Sequence, residues 1–186
     1  MKIGDRMKKG FTLVELLGVF AIISMIVLLA VPSVTNMLKQ SEQDQYENFE
    51  NDIFLATEAY LSSNSDIYLE LKEINKTTYV TIKTLLYSDY LDSTLKNPKT
   101  GDTLYAANEY NKIILVKMND KKMWEFELYG DEEDETLTSE QSSVITAYDS
   151  LTRNSTDAEV NVVQTQVESL PDSIIKTALQ NRIEYR

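Results

Sequence analysis

Residues 8–31 combine two lysines, a glycine and a long apolar run in which Glu15 is the single charge. About twenty such residues in a helix, at about 1.5 Å each, match the thickness of a bilayer core. A charged residue costs about 2.5–3.5 kcal/mol at the bilayer centre and less near the edge. A helix that only anchors the chain in the membrane has no interaction that would offset this cost. Glu15 therefore predicts a helix that packs with other helices and finds a cation there.

The charge of the chain is divided sharply at the start of this segment. Residues 1–10 carry a net charge of +3, whereas the whole chain carries −12, so everything after Gly10 is strongly acidic. Positive residues before a membrane segment hold the amino terminus in the cytoplasm, which predicts that the carboxy-terminal part lies outside. An acidic body also disfavours nucleic-acid binding, which depends on neutralising phosphates.

Composition argues against an enzyme. The chain has no cysteine and no histidine, which excludes disulfides and thiolate metal sites and removes the usual general base near neutral pH. No phosphate-binding glycine loop and no GxSxG motif occurs. The acidic run at residues 131–135 lacks the ligand spacing and the glycine of a calcium loop, so a solvated linker is expected. We predict no catalytic residue, no cofactor and no metal site.

Residues 8–17 (KKGFTLVELL) resemble the processing motif of type IV prepilins and pseudopilins. The resemblance implies that a prepilin peptidase cuts after Gly10 and N-methylates the new terminus at Phe11. It also implies that Glu15 pairs with the terminal amine of an adjacent subunit. The implied partners are other pilins, this peptidase, the pilus assembly platform with its motor ATPase, and the membrane before assembly.

Other interpretations of the segment are a secretory signal peptide and an uncleaved anchor. A signal peptide should end in small residues spaced like A-x-A, and the sequence Ala30-Val31-Pro32 does not fit that pattern. Pro32 itself has two interpretations. In the pilin family a proline at this depth kinks the helix, because it removes a backbone hydrogen bond; alternatively, it marks the membrane exit.

Beyond Pro32, apolar residues recur at helical spacing and predict an amphipathic continuation of the same helix. These residues are Val34, Leu38, Tyr46, Phe49, Ile53, Ala56 and Tyr60. The upper half of this helix is expected to bury its stripe as core against a sheet, the lower half to project, and the small polar residues at 62–65 to end the helix.

Residues 64–130 predict a small head. Residues 112–117 and 123–129 form a predicted β-hairpin, and residues 103–106 a predicted third strand of an antiparallel sheet. The sheet should cover the stripe at Phe49, Ile53, Ala56 and Tyr60. Residues 82–91 have helical spacing, and residues 97–101 (NPKTG) predict a turn. Residues 78–129 resemble the head of Gram-positive type IV pilins.

Residues 131–186 form an acidic extension with two predicted amphipathic helices. One contains Val144, Ile145, Tyr148 and Leu151, and Pro171 opens the other, which contains Ile174, Ile175, Ala178, Leu179 and Ile183. Three outcomes stay open for this extension: it packs on the head, binds a partner, or is partly disordered.

The sequence thus predicts an α+β protein with a long amino-terminal helix packed on a small antiparallel sheet. Its predicted parts are a leader (1–10), a transmembrane and assembly helix (11–32), an amphipathic continuation (33–63), a head (64–130) and the extension (131–186). The predicted function is a structural subunit of a type IV pilus or pseudopilus, first in the plasma membrane and then in a surface fibre. The alternative is a monomeric membrane-anchored receptor or adhesion module.

Overall fold

A computed structural model describes residues 10–130 and 136–184. The chain divides into two compact units, one up to Asp44 and the other from Gln45 onward. Helix α1, Leu13–Ser63, runs through the end of the first unit into the second and contains Pro32. It ends within the small polar residues where the sequence predicted its end. The acidic run at residues 131–135, for which a solvated linker is expected, lies outside the described residues.

The second unit contains a three-stranded antiparallel sheet. Its strands are β1 (Thr77–Thr81), β2 (Ile113–Met118) and β3 (Trp124–Tyr129), in that spatial order. Strands β2 and β3 form the predicted hairpin, and Ile114 pairs with Leu128. The Asn119 side chain holds the turn, since its Oδ1 accepts hydrogen bonds from the backbone N–H groups of Lys121 (2.9 Å) and Met123 (3.0 Å).

The predicted third strand was wrong. Residues 103–106 contribute only an isolated bridge between Thr103 and Lys96, and the strand beside β2 is β1, in which Val80 pairs with Ile114. Strand β1 occupies the edge of β2 where residues 103–106 were expected to pair. These residues turn instead, because the Ala106 N–H donates to the Thr103 carbonyl at 2.9 Å and the chain then enters helix α3, Ala107–Tyr110.

The predicted contact between the sheet and the helical stripe is confirmed. Tyr46, Phe49, Ile53 and Ala56 are buried, and Tyr60 is partly buried. They share a core with the sheet residues Val80, Ile114, Val116 and Leu128, and the Phe54 and Phe126 rings stack at 5.6 Å. Helix α2, Ile82–Tyr87, adds Ile82, Leu85 and Leu86 to this core; it is shorter than predicted.

The carboxy-terminal extension packs on the opposite face of the sheet. It forms helices α4 (Ser139–Asp149), α5 (Asp157–Ser169) and α6 (Ile174–Glu184). Val144, Ile145, Val163, Val167, Ile175 and Leu179 from these helices are buried against Tyr79, Ile113 and Leu115 of the sheet. The sheet therefore lies between two helical layers, and the first of the three outcomes left open by the sequence is the observed one.

Helix α5 was not predicted, although the sequence carries its start signal. Thr156 and Glu159 form a capping box, in which Thr156 Oγ1 accepts from the Glu159 N–H and Glu159 Oε2 accepts from the Thr156 N–H at 2.7 Å. Val163 and Val167, four residues apart, form the buried side of the helix. Thr138 and Gln141 cap helix α4 in the same way.

Candidate functional site

Helix α1 begins with a reciprocal cap between Thr12 and Glu15. Thr12 Oγ1 accepts a hydrogen bond from the Glu15 N–H at 3.3 Å. In return, Glu15 Oε2 accepts from the Thr12 N–H and from the Thr12 hydroxyl, both at 2.8 Å. These bonds satisfy backbone N–H groups that the first turn of any helix leaves free. The carboxylate is therefore held at the amino-terminal end of the helix, where a negative charge is favoured by the helix dipole.

Only one oxygen of the Glu15 carboxylate is used by the cap. Among the described residues, no hydrogen bond reaches Oε1, and the side chain is exposed in the isolated chain. A carboxylate accepts through both oxygens and has about four lone-pair sites. Glu15 can thus keep its cap and still receive a cation from another molecule.

Gly10 and Phe11 lie immediately before this cap and are exposed. The Phe11 side chain is 85% exposed. A Cβ added at Gly10 would meet no atom of residues 10–130 or 136–184 within 4 Å. The described part of the chain therefore leaves the Gly10–Phe11 bond accessible, and it places this bond one turn from the Glu15 carboxylate.

The surface of α1 after the cap is apolar on every side. The large apolar residues from Leu13 to Leu38 are all exposed, and α1 is the helix among the described residues that is long and apolar enough to cross a membrane. Within the helix, hydroxyl side chains bond back to carbonyls, Ser24 to Phe20 and Thr35 to Val31. A helix that is apolar all round requires lipid or other helices around it.

Pro32 lies at the far end of this apolar segment, seventeen residues or about 25 Å of helix from Glu15. It lies inside α1, so the helix does not end there. Its ring nitrogen has no hydrogen to donate to the Leu28 carbonyl. The predicted kink stays a prediction. Gly10, Phe11 and Glu15 thus lie close together at the start of α1, and Pro32 lies apart from them.

Within residues 10–130 and 136–184, no group of three or more carboxylates is arranged to hold a metal ion.

Comparison with known protein families matches residues 5–31 to the prokaryotic N-terminal methylation motif. The chain carries a type IV pilin-like prepilin motif. Comparisons with curated proteins and with solved structures give no significant match. The prepilin motif covers the amino-terminal segment alone and contains Gly10, Phe11, Thr12 and Glu15.

The prepilin motif indicates a structural protein that is processed, rather than an enzyme. It implies cleavage by a prepilin peptidase and assembly with other pilins. The apolar helix that follows the motif is consistent with anchoring in a membrane before assembly at the cell surface.

Thr12 is the residue of this site that the sequence interpretation missed. The signal was present, because Thr12-Leu13-Val14-Glu15 has the spacing of a capping box before an apolar run. The Glu15 carboxylate thus has a second role besides its charge, which is to cap the first turn of the helix.

Proposed function

We propose that the chain is a structural subunit of a type IV pilus or pseudopilus. In this proposal a prepilin peptidase cuts after Gly10 and methylates Phe11, and the subunit assembles into a helical fibre through α1. The observation that carries the proposal is the exposed surface of α1 over residues 13–31, which is apolar on every side, has Glu15 as its one charge and lies within the residues that match the prepilin motif.

The charge of Glu15 supplies the specificity of assembly that apolar packing alone does not provide. Moving apolar side chains from lipid into a fibre core is nearly neutral, because lipid tails are as apolar as leucine. Specific assembly then depends on close packing and on the pair between Glu15 and a cation. Phe11 becomes a free amine only after cleavage, so an uncut subunit cannot supply that cation to its neighbour.

The cap at Thr12 is compatible with this pair. Thr12 uses Oε2 of Glu15, and Oε1 accepts no hydrogen bond from the described residues. The amine of an adjacent Phe11 would approach Oε1 while the cap stays in place. Extraction of α1 from the membrane would need work from the assembly platform and motor ATPase.

Two substitutions separate the charge of Glu15 from its capping role. Glu15→Gln keeps an acceptor for Thr12, since glutamine also closes a capping box, but it removes the charge. Thr12→Val removes the capping hydroxyl and keeps the charge. We expect Glu15→Gln to be processed but absent from purified surface fibres, and Thr12→Val to be incorporated. Normal incorporation of Glu15→Gln would refute the proposed assembly role.

The rival function is a monomeric membrane-anchored receptor or adhesion module. It is favoured by the fact that Thr12 already binds the Glu15 carboxylate within one chain. The rival expects no cleavage, whereas the pilin proposal expects a chain that begins with methylated Phe11. An intact-mass measurement on the membrane fraction distinguishes them, and the abundance of the chain in purified fibres would then separate a major from a minor subunit.

A further inference from the structure

Three side chains that are rarely buried meet inside the head. Asn97 and Glu109 are each 1% exposed, and Lys112 is 8% exposed. Asn97 lies in the 97–101 turn, Glu109 in helix α3, and Lys112 directly before strand β2. Charged side chains are seldom fully buried unless they are paired. The cluster lies apart from the prepilin motif, and the proposed function does not use it.

The Glu109 carboxylate bridges the other two groups. Its Oε1 accepts a hydrogen bond from Asn97 Nδ2 at 2.9 Å, and Lys112 Nζ lies 3.1 Å from its Oε2. The second contact is an ion pair by distance but lacks hydrogen-bond geometry, so Oε2 has no hydrogen-bond donor among the described residues. An amine and a carboxamide are thus held on the two oxygens of one buried acid.

We infer that Lys112 and Asn97 join in an intramolecular isopeptide bond, with Glu109 as the proton-transfer group. A proton passes from Lys112 Nζ to Glu109 Oε2 and leaves a neutral amine. The Nζ lone pair attacks Cγ of Asn97, and Glu109 passes protons from Nζ to Nδ2. The Cγ–Nδ2 bond breaks, and ammonia leaves as ammonium, together with the proton that Lys112 first gave to Glu109. The Nζ–Cγ amide bond forms, Glu109 is regenerated, and no oxidant or other co-reactant is needed.

The surroundings favour this reaction in three ways. Burial excludes water, which would compete with the amine for the carboxamide carbon. Holding both groups on one carboxylate converts an encounter into an intramolecular step. The Lys99 N–H donates to Asn97 Oδ1 at 2.9 Å, so a backbone donor already faces the oxygen on which negative charge would develop during attack.

The residue after Asn97 removes a competing route. An asparagine side chain commonly loses ammonia when the following backbone nitrogen attacks it and forms a succinimide. Pro98 has no backbone N–H, so this route is blocked at Asn97. Loss of ammonia that maps to Asn97 is therefore diagnostic of attack by another amine.

The test is the mass of the full-length chain purified in detergent. The expected mass is that of the chain as it is isolated, whether or not its leader has been removed, less one ammonia molecule. Trypsin should then release a branched peptide that joins residues 97–99 to residues 100–117, because an acylated Lys112 is not cleaved. Fragmentation of this peptide locates the link and distinguishes it from succinimide at any other asparagine.

Lys112→Arg keeps a cation beside Glu109 but removes the nucleophile, and it should retain the ammonia. Glu109→Gln keeps an acceptor for Asn97 and should also block the bond. Lys121→Arg, at an exposed lysine of the β2–β3 turn, is the matched control and should form the bond normally. A wild-type chain that yields separate linear peptides 97–99 and 100–112 would overturn the inference, as would ammonia loss that persists in Lys112→Arg.

The isopeptide bond does not depend on the proposed function, because it does not require cleavage of the leader or assembly into a fibre. A Gly10→Val chain that keeps its leader should still contain the branched peptide, because the three residues lie in the head. Absence of cleavage and absence of the isopeptide bond are thus separate results from one mass measurement.

Discussion

Arg182 and Glu70 form a buried ion pair between helix α6 and the turn at Leu69–Lys72, with 3.1 Å between the guanidinium and Glu70 Oε1. The guanidinium also lies over the Tyr68 ring, 3.9 Å from its centroid, and donates to the Ile67 carbonyl at 3.1 Å. Thr78 donates its hydroxyl to the same oxygen of Glu70. This ion pair therefore joins the extension to the head, and both of its charged groups have little access to water.

Arg182→Met should destabilise the head by about 3–5 kcal/mol, because it leaves the Glu70 carboxylate buried without its cation. Adding Glu70→Gln should recover most of this loss, since the glutamine is neutral and still accepts from Thr78. Urea unfolding of the full chain in detergent, followed by the fluorescence of Trp124, the single tryptophan, measures both. A double variant as unstable as Arg182→Met would show that the lost contact, and not the uncompensated charge, is the cause.

Leu179→Ala should cost about 2–5 kcal/mol of unfolding free energy, because it opens a cavity among fully buried side chains of α6 and the sheet. Leu55, which is 61% exposed on α1, provides the control, and Leu55→Ala should change stability by about 0.5 kcal/mol or less. Equal effects of the two substitutions in the same urea titration would contradict a structural role for the extension.

Alkaline pH should destabilise the head through two buried tyrosines. Burial raises the pKa of Tyr68 and Tyr79 well above its usual range. The proton is held more tightly in the folded state, so this stability is fully present below the unfolded pKa of about 10 and is lost as pH rises above it. Unfolding measured from pH 8 upward should lose less stability in Tyr68→Phe than in the wild type.

Gly10→Val should leave the leader attached. A Cβ at this position meets no atom of the described part of the chain within 4 Å, so we expect the substitution to preserve the packing of that part and to act on recognition by the peptidase. The intact mass of the membrane fraction should show the amino terminus at Met1. Gly18→Ala, which also places a Cβ in open space, is the control and should be processed normally. A Gly10→Val chain that begins at Phe11 would disprove the assigned cleavage site.

The sequence was most informative where the signal is local and periodic. The α1 stripe, the β2–β3 hairpin and helices α4 and α6 were predicted because each carries its own apolar spacing. Residues 103–106 were misassigned as a strand because β-propensity says nothing about which segment pairs with β2. Helix α5 was missed although Thr156 and Glu159 mark its start, since its apolar side is narrow. The Asn97, Glu109 and Lys112 cluster had no signal in the sequence, because its members belong to three separate elements.

The sequence by itself determined the prepilin motif, the apolar helix behind it and the position of its one charge, because a short linear segment is what a peptidase and a membrane recognise. Only the tertiary structure decided that β1 completes the sheet, that the acidic extension covers its second face, and that Arg182 and Glu70 meet. Val80 and Ile114, which pair in the sheet, are 34 positions apart, and Glu70 and Arg182 are 112 apart, so chain folding and not local propensity brings them together.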